Sequence, residues 1–119
     1  MELNKRKLGG SYEERAAAFL QAKGLKVLER NFRCRSGEID LIAMDGNCLV
    51  FVEVKYRGFR IAGGSLEAVD RHKQRMICKA AAYYLLTRRH SFDVPCRFDV
   101  VGYDWDGIHW IKNAFDYTH

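Results

Sequence analysis

Two short segments place charged side chains where the surrounding chain is apolar. Gly37-Glu38-Ile39-Asp40 leads into Leu41-Ile42-Ala43, and Glu53-Val54-Lys55 ends the run that begins at Leu49. Both runs read as buried β-strand. Burying ionised groups is costly unless they are paired or bound to a cation, so Asp40, Glu53 and Lys55 suggest a site. Carboxylate oxygens with no imidazole or thiolate nearby select a hard cation, Mg²⁺ or Mn²⁺, over zinc. A lysine beside them can contact a phosphate oxygen or orient an attacking water. The competing reading is a solvated strand face with a fortuitous salt bridge, because Glu-x-Lys is common on exposed strands. The neighbours Phe51, Val52 and Val54 argue against it.

Whether the charges meet depends on the elements that carry them. Strands are expected over 37–45 and 48–56, joined at Asp45-Gly46-Asn47, a strong hairpin signal. A two-residue loop at Gly46-Asn47 pairs Asp45 with Cys48, which sets Asp40 opposite Glu53 and Glu38 opposite Lys55. A loop at Asp45-Gly46 shifts the pairing by two and sets Glu38 opposite Glu53. In either register Asp40, Glu53 and Lys55 share a face, with carboxylates roughly 5–8 Å apart. A three-residue loop without a bulge sends Asp40 to the other face.

The remaining pattern supplies the frame. Residues 1–10 read as a basic, flexible lead-in. A helix is expected over 11–23, with Ser11 as N-cap, Glu14 as its capping-box partner and Gly24 as the stop. A strand follows over 25–33, with an interruption near Glu29 to Asn31. Arg57 to Gly64 reads as loop, Asp70 to Arg89 as the longest helix, and 97–103 and 108–111 as strands about the Asp106-Gly107 turn. The αβββαββ order predicts one α/β domain over residues 1–119, with a mixed sheet of about five strands flanked by helices.

Helical phase adds a fourth candidate. Tyr12, Ala16, Phe19 and Leu20 define the apolar face of the first helix. Glu13 falls about 70° from its centre at about 100° per residue, and Glu14 lies nearly opposite. Spacing alone leaves Glu13 two roles: a member of the carboxylate cluster, or a favourable charge in a first helical turn. Arg57, Arg60, Arg71, Lys73 and Arg75 form a basic band suited to phosphates, although the last three also fit a solvated helix face. Asp99 reads as a structural partner of Arg97. Tyr83, Tyr84, Trp105 and Trp110 read as core or edge residues.

Composition sets bounds without naming a partner. The 119 residues carry a net charge of +5 and a pI near 9.1, which fits a polyanionic partner without requiring one. Cys34, Cys48, Cys78 and Cys96 are widely spaced, which argues against zinc and disulfides and for reduced thiols in the cytosol. No apolar run approaches the roughly 20 residues of a membrane span, and Met1 to Lys7 lack the apolar stretch expected of a signal peptide. A cytoplasmic protein is expected.

The motifs together resemble the bacterial YraN family. The resemblance rests on Glu13 with Ala16 and Leu20, on the continuous stretches from Asn31 to Ala43 and Val50 to Arg57, and on Lys73-Gln74-Arg75, Arg97 to Val101 and Asn113-Ala114-Phe115. That family is regarded as a distant relative of archaeal Holliday junction resolvases in the PD-(D/E)xK, restriction-endonuclease-like superfamily. The resemblance implies that superfamily's mixed sheet, with Asp40 and Glu53 on the metal, Lys55 as catalytic lysine and Glu13 as the helix acid. Tyr12 departs from the glycine many members carry before that acid, with consequences for access to the site. A Mg²⁺- or Mn²⁺-dependent endonuclease acting on structured or branched DNA is expected. Resolvase-like relatives act as dimers, which makes a homodimer the implied assembly. The alternatives are a non-catalytic nucleic-acid-binding module on a nuclease fold, and a protein-interaction subunit with a structural ion network.

Overall fold

The apolar runs become the inner strands of one sheet, and a helix closes on each face. The computed structural model describes residues 2–55, 61–62, 65–66, 69–89, 93–104 and 107–117. In chain order these form α1 (Glu2–Ala22), β1 (Lys26–Cys34), β2 (Gly37–Asp45), β3 (Cys48–Lys55), β4 (Ile61–Ala62) and β5 (Ser65–Leu66). Next come α2 (Arg71–Tyr84), a π-helical turn over Leu85–Arg89, β6 (Cys96–Asp104) and β7 (Gly107–Phe115). The main sheet runs β1-β2-β3-β6-β7. Among the described residues only β3 and β6 pair in parallel, and α2 lies in the crossover such a pair requires. This is the mixed α/β sheet that the order of elements predicts, and it is compatible with a nuclease-like fold.

β3 is buried along almost its whole length, which explains its unbroken apolar character. Leu49 and Phe51 face the α2 side with Ile42, Ile77, Ala81, Tyr84 and Phe98. Val50, Val52 and Val54 face the α1 side with Ala16, Leu20, Leu41 and Val101. By strand alternation Glu53 and Lys55 belong to the α2 side. No helix among the described residues is long and apolar enough to cross a membrane, and the four cysteines are reduced thiols.

Several expected boundaries move. The first helix does not start at Ser11: it begins at Glu2 and runs through Gly9 and Gly10, since glycine inside a helix costs only about 1 kcal/mol and does not end it. Glu14 therefore has no N-cap to answer, and it pairs with Arg30 at 3.0 Å. The end of α1 is as expected. Gly24 takes φ 97°, and the Gly24 and Leu25 N–H groups donate to Gln21 and Leu20 carbonyls, both at 3.0 Å, a Schellman closure. Within the stretch read as loop, Ile61–Ala62 forms β4, which pairs antiparallel with β5 beyond it; residues 57–60 and 63–64 lie outside the described residues. α2 opens on Asp70, whose side chain accepts from Lys73 N at 2.8 Å.

Candidate functional site

The β2–β3 hairpin adopts the Gly46-Asn47 loop. Gly46 has φ 62°, the positive value a II′-type turn needs at its first central residue, and Asp45 pairs with Cys48. The ladder continues to Leu41 and Val52 and stops there, one pair short of Asp40 and Glu53. At that point the Asp40 carboxylate replaces a strand carbonyl: its Oδ2 accepts the Val54 N–H at 2.8 Å. The β1–β2 register shifts between Val27 and Glu29 and is then constant from Arg30–Leu41 to Phe32–Ile39, with Asn31 and Asp40 unpaired between them. Asn31 has φ 53°. Ile39 and Ile42 both enter the α2-side core while Leu41 enters the other, so alternation breaks at Asp40. Asp40 and Glu53 do meet, but at the end of a ladder rather than as a pair within it. The expected Glu38–Lys55 pairing is absent. Glu38 lies opposite Arg33 and takes its Nε at 3.0 Å.

Burial, followed by the Glu53 charge, raises the Asp40 carboxyl from 3.8 to about 8, against the opposing pull of the Val54 N–H. A proton bridging to Glu53 adds to the rise. Two adjacent carboxylates cannot both ionise without a cation between them. Glu53 is 5% exposed, and two ammonium groups converge on its Oε2: Lys55 Nζ at 3.4 Å and Lys73 Nζ at 3.5 Å. Lys73 thus leaves the basic band and joins the site. Arg71 and Arg75 project from another side of α2, beside Asp116 and Tyr117. Arg57, Arg60 and Trp105 lie outside the described residues.

Glu13 belongs to the same electrostatic cluster. Its carboxyl is raised by burial, then by Glu38 and more weakly by Glu53, while a hydrogen bond from the Asn31 side chain and the Arg33 charge lower it. Glu14 is exposed and points elsewhere. The bulky Tyr12 lies on Tyr103, ring centroids 4.7 Å apart, with Arg15 over both rings at 5.2 and 5.1 Å. Its ring packs with the α1-side core. Asp99 is structural, as expected. Fully buried, it accepts from Arg97 Nε at 3.0 Å, Trp110 Nε1 at 2.9 Å and Asn113 N at 2.9 Å.

Two members escaped sequence reasoning. Asn31 holds Glu13 from a left-handed conformation that asparagine tolerates better than most residues; the interruption near Glu29 to Asn31 and the stretch beginning at Asn31 marked its position but not this role. Lys73 was legible as a cation but not as a partner of Glu53.

Among the described residues, no group of three or more His, Cys, Asp or Glu side chains makes a ready ligand set. The donor chemistry nevertheless fits Mg²⁺ or Mn²⁺. Mg²⁺ commonly takes one or two carboxylates and completes its shell with water and phosphate oxygen, and a divalent cation relieves the repulsion that otherwise keeps a proton on the Asp40–Glu53 pair.

A family model described as "Uncharacterised protein family UPF0102" matches residues 12–103. The chain belongs to this family. A UPF0102 protein of Alcanivorax borkumensis is 45% identical over 117 residues, covering 94% of both chains. One from Lachnoclostridium phytofermentans is 48% identical over 114 residues, covering 96% of this chain and 97% of its own. Another, from Stutzerimonas stutzeri, is 46% identical over 112 residues, covering 91% of this chain and 93% of its own. The matched residues of the family model span Glu13, Asn31, Asp40, Glu53, Lys55 and Lys73, and so the whole candidate cluster.

Proposed function

We propose that the protein is a cytoplasmic, Mg²⁺- or Mn²⁺-dependent endonuclease that hydrolyses phosphodiester bonds in structured or branched DNA. The observation that carries this reading is the meeting of half-buried Asp40 with buried Glu53 at the end of the β2–β3 ladder, with Lys55 and Lys73 both on Glu53 Oε2. Asp40 and Glu53 would hold the cation, with Glu13 bordering it. When bound, the cation supplies Lewis-acid stabilisation of phosphate charge and acidifies water. The chain's own groups do the rest. The Val54 N–H fixes one Asp40 oxygen and leaves the other for a ligand. Lys55 offsets charge that grows on the phosphate or orients the attacking water. Lys73, reaching in from α2, offers a second ammonium to the backbone. Arg71 and Arg75 add sequence-independent phosphate contacts, so binding weakens steeply with salt.

The test is cleavage of a panel of flaps, junctions, single strands and duplexes with Mg²⁺ or Mn²⁺. Asp40→Asn and Lys55→Ala should abolish cleavage and leave DNA binding largely intact; equal cleavage by these variants and wild type sinks the assignment. One observation favours a second reading. Both lysines already answer the Glu53 charge, as they would in a purely structural ion network. That reading predicts no cleavage and no rise in Tm with Mn²⁺.

A further inference from the structure

A groove of about 520 Å³ opens beside the carboxylate pair, between the β1–β2 turn and α2. Its size lies within the range of clefts that take small ligands, about 300–1,000 Å³. Lys73 lines the groove and also stands 3.5 Å from Glu53 Oε2, so groove and site share one ammonium group. Arg33 supplies a second cation on the wall. The acid on the same wall, Glu38, is already met by Arg33 Nε at 3.0 Å. Cys34, Met76 and Ile77 give the lining between these charges an apolar character. Cations for phosphates and an apolar, unselective surface for sugar and base are the two requirements for holding one strand without reading its sequence.

We propose that this groove carries a single unpaired strand to the Asp40–Glu53 pair. The substrate class is then DNA with an unpaired segment beside duplex, such as a flap or a frayed end, rather than continuous duplex. The inference rests on the nuclease reading above and adds the strand's path to it. A duplex must open locally before its backbone can reach Lys73 along this groove, whereas an unpaired strand enters directly.

Cys34 is a built-in reporter, half-buried in the groove wall. In a Cys48→Ser/Cys96→Ser background, with Cys78 fully buried, maleimide labelling reads access to Cys34 alone. The assay uses Ca²⁺ in place of Mg²⁺, so that no turnover is needed, with short oligothymidine, a blunt duplex and a flap as probes. At about tenfold excess over Kd, oligothymidine and the flap should slow Cys34 labelling about tenfold, and the duplex less than about twofold. Arg33→Glu, at an exposed side chain, should weaken oligothymidine binding and abolish the protection. Oligothymidine or a flap that binds, by anisotropy, without protecting Cys34 overturns the groove assignment and leaves the nuclease reading standing. Protection by duplex equal to that by single strand does the same. Failure of all three DNAs to bind at low salt overturns both.

Discussion

Replacing Asp40 with asparagine should stabilise the cation-free protein and remove its response to divalent cations. Burial against Glu53 lifts the Asp40 carboxyl from 3.8 to about 8, so at about pH 7 the native chain holds a proton that the unfolded chain has released. Each pH unit above the unfolded value costs about 1.4 kcal/mol, on the order of 4 kcal/mol in all by about pH 7. Sharing the proton with Glu53 and partial contact with solvent reduce this to about 1–2 kcal/mol. The native value lies above the unfolded one. The contribution of Asp40 is therefore fully present only below 3.8, and it is lost as pH rises through about 8. Asparagine keeps an oxygen for the Val54 N–H and carries no charge. Calorimetry in EDTA should show Asp40→Asn melting about 3–8 °C above wild type at about pH 8, with the gap closing toward about pH 4. Mn²⁺ at about a hundredfold excess over Kd should then stabilise wild type by about 2.7 kcal/mol and leave the variant unmoved. A variant that melts below wild type in EDTA, or gains equally from Mn²⁺, refutes this account of the pair.

Other positions separate site from scaffold. Glu13→Gln should lower cleavage at least tenfold, on the roughly 10–100-fold scale seen when a group supporting a metal site is lost, without loss of Tm. Glu14→Ala, which breaks only an exposed pair with Arg30, should change unfolding free energy by less than about 0.5 kcal/mol and leave cleavage unchanged. Asp99→Ala strands the buried donors of Arg97, Trp110 and Asn113 and should cost about 3–5 kcal/mol in urea unfolding; a loss below about 1 kcal/mol would remove Asp99 from the scaffold. Asn31→Val, forced into φ 53°, should cost about 1–2 kcal/mol, while Asn31→Gly keeps the fold and loses only the hydrogen bond to Glu13.

Much of the frame was legible because it is written locally. The Gly46-Asn47 turn, the apolar run of β3, the Gly24 stop and the Asp70 start each depend on residues adjacent in sequence. The start of α1 was missed because Gly9 and Gly10 suggested a break where the helix merely tolerates them. The basic band was read as one surface, yet a helix turns Lys73 toward Glu53 and Arg71 and Arg75 elsewhere. Strand alternation placed Glu53 and Lys55 well. It could not foresee that Asp40 would leave the alternation to cap a backbone N–H.

By itself, the sequence determined which residues carry the charge and that one hairpin brings Asp40 to Glu53, because turn geometry propagates through a two-residue repeat. Tertiary structure decided the rest. The ladder ends where the Asp40 side chain outcompetes a backbone carbonyl for Val54 N. The β3–α2–β6 crossover returns Lys73 to Glu53, 20 residues along the chain, and α1 packs Glu13 onto the same end of the sheet. These approaches depend on how elements dock across the core, and no local periodicity encodes them.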